Sequence, residues 1–105
     1  MPKHIELEPV GTIIREELFE PYGLSVDDVA KAAGIQSWDL EAIIYGNKEI
    51  TAEIDLRLTK YFGMSEGFFS RLQTDYNMRV AKKKLHGKLK NVISLVDQTK
   101  KVAVL

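Results

Sequence analysis

The chain has 105 residues, of which 45% are hydrophobic and 29% charged, as expected for one globular domain. It contains no cysteine, so a disulfide framework and a Cys-based zinc site are excluded, and its two histidines, His4 and His86, lie too far apart in sequence to suggest a metal or catalytic pair. The formal net charge is zero but unevenly placed: residues 79–105 hold eight basic residues and one acid, giving +7, and residues 1–78 give −7.

Helical periodicity dominates the chain. A first helix is predicted from about Thr12 to Phe19, with Ile14 and Leu18 four apart on its apolar face, and Pro21 and Gly23 end it. Ser25 opens a second helix: Ser25-Val26-Asp27-Asp28 has capping-box spacing, and both aspartates suit the positive end of the helix dipole. Val29, Ala32 and Ala33 are expected on its apolar face, and Gly34 is a natural left-handed stop. Ser37 is read as the cap of a third helix, with Leu40, Ile43 and Ile44 inward and Gly46-Asn47 at its end.

Thr51 caps a fourth helix with the stripe Ile54, Leu58, Tyr61 and Phe62, and Gly63 ends it. Ser65 is expected to cap a fifth helix, whose core face is Phe68, Phe69, Leu72 and Tyr76. A further helix is predicted from Lys82 to Val96, because Leu85, Leu89, Val92, Ile93 and Val96 follow helical spacing. The last four residues, from Val102, fit a strand, a frayed end or an interface peg equally well. The organisation read from this is a domain over 1–81 and a basic helical extension over 82–105. No apolar run is long enough to cross a bilayer, and the polar start lacks a signal-peptide core, so a cytoplasmic protein with no membrane role is the expectation.

The informative stretch runs from Ser25 to Tyr45: a short helix, a tight turn on Gly34 and a second short helix, with Ala30 small enough for close approach. This is the pattern of a helix-turn-helix, whose second helix enters the major groove by its first residues. Those residues are Gln36, Ser37, Trp38, Asp39, Glu41 and Ala42. Two packed helices with a glycine turn also occur in all-α proteins that bind no DNA. Trp38, facing outward, suits packing against neighbouring turns, a thymine-methyl contact or an interface anchor. Arg57 is read as an ion-pair partner of Glu16 or Glu53. The basic end suits either a solvated helix face or a contact with DNA phosphates or an acidic partner.

The stretch from Glu8 to Ala81 resembles the HigA-type antitoxins, or plasmid-maintenance antidote proteins, of the λ-repressor-like helix-turn-helix family. The pieces occur in order. Pro9-Val10-Gly11-Thr12-Ile13-Ile14-Arg15-Glu16-Glu17 resembles the family's opening, and Pro21-Tyr22-Gly23-Leu24-Ser25 matches its Pro-x-Gly-Leu-Ser. Val29-Ala30-Lys31-Ala32-Ala33-Gly34-Ile35 resembles Leu-Ala-x-x-x-Gly-Val, and Tyr45-Gly46-Asn47-Lys48-Glu49-Ile50-Thr51 resembles the loop after the recognition helix. The segment from Leu56 to Ser65 carries Leu-Arg-Leu-x-x-x-Phe-Gly-x-Ser, and that from Phe68 to Asn77 resembles Phe-Trp-x-x-Leu-Gln-x-x-Tyr-Asp.

The resemblance implies an all-α, five-helix domain with a C-terminal extension, acting as a homodimer on a palindromic double-stranded operator. It also implies neutralisation of a small RNase toxin of the HigB type. No enzyme activity, cofactor or metal is expected. The implied DNA contacts add Ser25, Asn47 and Lys48 to the six residues of the recognition helix. A regulator without a toxin, or an interaction module that has lost its DNA face, remain the alternatives. Two departures bear on this: Val26 stands where the family places a phosphate-binding Gln, and the recognition helix carries Asp39 and Glu41 where Arg, Asn or Gln are usual. Carboxylates repel phosphate and, among common base contacts, accept only from cytosine N4.

Overall fold

The computed structural model describes residues 8–96. Among the described residues five α-helices follow one another: α1 (Val10–Ile14), α2 (Val26–Ala33), α3 (Ser37–Ile44), α4 (Ala52–Phe62) and α5 (Phe68–Lys84). No strand is present among the described residues. The all-α, five-helix reading therefore holds over the described residues.

The first helix differs from its expected form. It starts at Val10, and after Ile14 it widens into a π-turn over Arg15–Phe19, then tightens over Glu20–Tyr22. The wide turn moves the apolar register by one residue. Ile14 and Phe19, five apart, are both 1% exposed, while Leu18 is only half-buried. Gly23 stops the segment at φ 65°, and the Leu24 N–H donates to the Phe19 carbonyl at 2.9 Å.

α2 begins with the complete capping box: Ser25 Oγ accepts from the Asp28 N–H at 3.0 Å, and Asp28 Oδ2 accepts from the Ser25 N–H at 3.1 Å. The buried pair on α2 is Val29 and Ala30; Ala32, expected inward, is exposed. Ala30, at 1% exposure, is the small residue of the crossing. Gly34 adopts φ 72°, and the Ile35 N–H returns to the Ala30 carbonyl at 2.9 Å, which closes the turn.

α3 starts at Ser37 with Gln36 as its cap residue, so Ser37 is the first helical residue and makes no capping bond. Leu40, Ile43 and Ile44 are buried, as their spacing predicts. α1 presses on this helix from the other side. A side chain at Gly11 would run into the carbonyl oxygens of Ile43 and Ile44.

Thr51 caps α4 by accepting from the Ile54 N–H at 3.3 Å. The start of α5 corrects the sequence reading. Ser65 is not its cap; Gly67 takes that position, and the acceptor is a carboxylate from α4. The buried Asp55 accepts from the N–H groups of Gly67 and Phe69 at 2.7 Å each and of Ser70 at 3.0 Å. A charged acceptor satisfies three donors that a serine hydroxyl cannot serve together. The core is closed by Phe19, Phe62 and Phe69, with centroids 6.2 Å apart at each step.

The helix expected from Lys82 to Val96 does not form as a unit. α5 continues through position 81 to Lys84, Gly87 at φ 78° breaks the path, and one short turn follows at Leu89–Asn91. Leu85, Leu89, Val92, Ile93 and Val96 are all exposed. With its apolar face left exposed, so short a helix is marginal in water. His4 and the apolar last four residues lie outside the described residues.

Candidate nucleic-acid interface

The site is built on α3 and the elements that hold it. Leu40, Ile43 and Ile44 anchor one face, exposed by 0–2%. The opposite side of the first turns is thereby turned to solvent. Gln36, Ser37, Trp38 and Glu41 are exposed, Trp38 by 60%, and Asp39 and Ala42 are half-buried. Asn47 is exposed in the loop that follows, and its N–H donates to the Ala42 carbonyl at 2.7 Å. Ser25 sits at the start of α2, where its hydroxyl oxygen is engaged by the Asp28 N–H. All nine candidates are thus at the surface or partly so, on α3, its following loop and the cap of α2.

Gln36, Asp39 and Lys48 meet in a cleft between the starts of α3 and α4, lined also by Thr51, Glu53 and Arg57. Inside it Lys48 Nζ donates to Asp39 Oδ1 at 2.8 Å. Both side chains are about one-third exposed, 36% and 34%. A pair in that setting contributes only about 0–1 kcal/mol to folding. Its main effect is electrostatic: the Asp39 carboxylate of α3 is neutralised by Lys48 of the loop.

Arg57 is the residue that sequence reasoning placed as an ion-pair partner, and it is one. Its Nε donates to Glu53 at 3.0 Å, one helical turn away. Its guanidinium also donates to the Ala33 carbonyl at 3.3 Å, at the end of α2. That second contact ties α4 to the turn between α2 and α3. The i, i+4 spacing of Glu53 and Arg57 made the first contact legible; nothing local signals the second.

The loop before α4 is held by a chain that the sequence reading missed. Gln73 of α5 is buried; its carbonyl oxygen accepts from the Ile50 N–H at 3.0 Å, and its amide donates to Asn77 at 3.1 Å. Asn77 in turn donates to Glu49 at 3.2 Å. One carboxyl is perturbed near the site: the Ser25 N–H, and after it the Ser25 hydroxyl, hold Asp28 below the ordinary aspartate range. Among the described residues no group of three or more His, Asp or Glu is placed to hold a metal, and no helix is long and apolar enough to cross a membrane.

A five-helix bundle with a short helix crossing a glycine turn and presenting its first turn outward defines a helix-turn-helix protein of the λ-repressor-like kind. No family model matches the chain. A solved addiction module antidote protein of the HigA family from Coxiella burnetii is 32% identical, with a TM-score of 0.77 over 86% of this chain and 98% of that one. The chain belongs to the HigA family of antidote proteins. Virulence-associated protein I of Dichelobacter nodosus is 37% identical over 71 residues, or 68% of this chain. That stretch spans 66% of the relative, so the chain covers less than two thirds of it. A Pseudomonas aeruginosa protein solved in complex with its operator DNA shares the fold, with a TM-score of 0.78 at 24% identity over 84% of this chain and 97% of that one.

Proposed function

We infer that this chain is the antitoxin of a type II toxin–antitoxin system. As a cytoplasmic homodimer it binds a palindromic operator beside its own gene and neutralises a small RNase toxin of the HigB type. The observation that carries the DNA half is the first turn of α3, anchored by Leu40, Ile43 and Ile44 and exposing Gln36, Ser37, Trp38 and Glu41. Gln36, Ser37, Trp38, Asp39, Glu41 and Ala42 are assigned to base edges, and Ser25, Asn47 and Lys48 to phosphates. Family membership supports the antidote role, and the operator-bound Pseudomonas protein supports this fold as a DNA reader. The role is one of binding, and no catalytic group or cofactor is assigned to it.

The test has two arms. Anisotropy titrations compare a duplex from immediately upstream of the gene with a scrambled duplex of equal composition. The wild type is expected to prefer the upstream duplex, and Gln36→Ala with Trp38→Ala to lose about 1–3 kcal/mol of that preference per contact removed. Co-expression with the product of the neighbouring small reading frame should restore growth that the frame alone arrests, and the two proteins should copurify. Equal, weak binding to both duplexes sinks the operator reading. The absence of any toxic neighbour sinks the antitoxin reading and leaves a regulator.

One observation favours a second reading. α3 carries two carboxylates and no basic residue, on a body whose residues 1–78 sum to −7. An interaction module for a basic partner would show that pattern, and failure to bind either duplex at low salt selects it.

A further inference from the structure

The Asp39–Lys48 pair joins two residues that DNA would use differently. Asp39 is the third residue of α3, in the turn assigned above to base edges, and Lys48 belongs to the loop assigned above to phosphates. In the free protein they are bonded to each other at 2.8 Å, on a surface open enough for either to take another partner. We propose that Asp39 and Lys48 form an exchangeable pair that makes a phosphate contact conditional on base identity. This inference rests on the DNA-binding reading above.

The physical reason lies in what each group loses. A carboxylate pushed unpaired into the groove faces the phosphate field and a lost hydrogen bond, so on most sequences it keeps its lysine. Lys48 is then withheld from the backbone. Of the two amines in the major groove, cytosine N4 is the one a carboxylate pairs with, because the N7 acceptor beside adenine N6 repels it. Where one lies within reach, Asp39 bonds to it instead, and Lys48 is released to a phosphate. Each lysine that reaches the backbone releases counterions, so the exchange is read as a change in salt dependence.

Two defined duplexes separate the states: alternating poly(dA–dT) has no cytosine amine, and alternating poly(dG–dC) offers one at every base pair. For the full-length wild type, the slope of log K against log salt should be steeper on poly(dG–dC) by about 0.9 per chain. Asp39→Asn should show the steeper slope on both duplexes and bind poly(dA–dT) roughly tenfold more tightly near 0.1 M salt. Lys48→Ala should show the shallower slope on both. Thermal melts by circular dichroism establish that each variant is folded, as the exposure of the pair leads one to expect.

Equal wild-type slopes on the two duplexes overturn the exchange, whether Lys48 is always held or always free. So does an Asp39→Asn protein whose slopes still differ. If the wild type binds neither duplex at low salt, the DNA-binding reading itself fails, and this inference falls with it. Binding with equal slopes removes the inference alone.

Discussion

Asp55 is a single side chain on which a whole helix depends. It is buried, and its two oxygens receive three N–H groups from the start of α5. Asp55→Ala is therefore expected to cost about 3 kcal/mol, because one buried and two part-buried donors are left without an acceptor. Asp55→Asn keeps one acceptor oxygen and should cost less; urea unfolding of the two variants checks the order. Asp28 supplies a pH-dependent case. Its folded value lies below the ordinary aspartate range, through the Ser25 N–H first and its hydroxyl second. Its contribution is thus present above the ordinary aspartate value and is lost as pH falls through the lowered one. Melting temperature followed into acid should show a smaller decline for Asp28→Asn than for the wild type. The Ser25–Asp28 box was legible because both partners lie within one turn. Asp55 was not, because its partners are twelve to fifteen residues away.

At the scale of elements, what could be read was periodicity, and what could not was its interruption. The apolar face of α3 came through whole and that of α4 in part, because regular helices keep 3.6-residue spacing: Ile54 and Leu58 are buried and Phe62 partly so, but Tyr61, expected inward, is exposed. The first helix misled because its π-turn replaces a four-residue step with a five-residue one, which exchanges Leu18 for Phe19 in the core. The nine candidate residues were located by the turn on Gly34 and by family likeness; the pairing of Asp39 with Lys48 required the fold. Two substitutions probe how α3 is seated. Leu40→Ala, at 0% exposure, should cost about 2–5 kcal/mol. Gly11→Ala should destabilise by about 1–3 kcal/mol, because the added methyl meets the last carbonyls of α3. Calorimetry measures both, and a Gly11→Ala protein as stable as wild type would show that α1 can withdraw from α3.

The molecule as a whole is divided between an acidic body and a basic, apolar end. Beyond Lys84 every described residue is exposed, including Leu85, Leu89, Val92, Ile93, Leu95 and Val96. Six large apolar side chains exposed on one end suit the second copy that the proposed homodimer would bring. A chain ending at Lys84 is accordingly expected to stay folded, since the buried residues among those described all precede that point, and to sediment as a monomer under conditions where the full chain is expected to sediment as the proposed dimer. Retained dimerisation after the truncation would move the interface into the body. The sequence exposed this stripe plainly but misassigned its structure. Spacing alone does not supply the partner surface that a short amphipathic helix needs.

Arg57 fills the space that a side chain at Gly34 would occupy: its guanidinium nitrogen lies 2.7 Å from where a Cβ would stand. It also satisfies the Ala33 carbonyl at the end of α2. The angle between α2 and α3 is therefore set partly from α4, outside the two-helix unit. Grafted alone onto another scaffold, residues 25–45 would carry the sequence of the two-helix unit without its brace. A transplant meant to keep the pose of α3 has to bring Arg57 and the first turns of α4 with it.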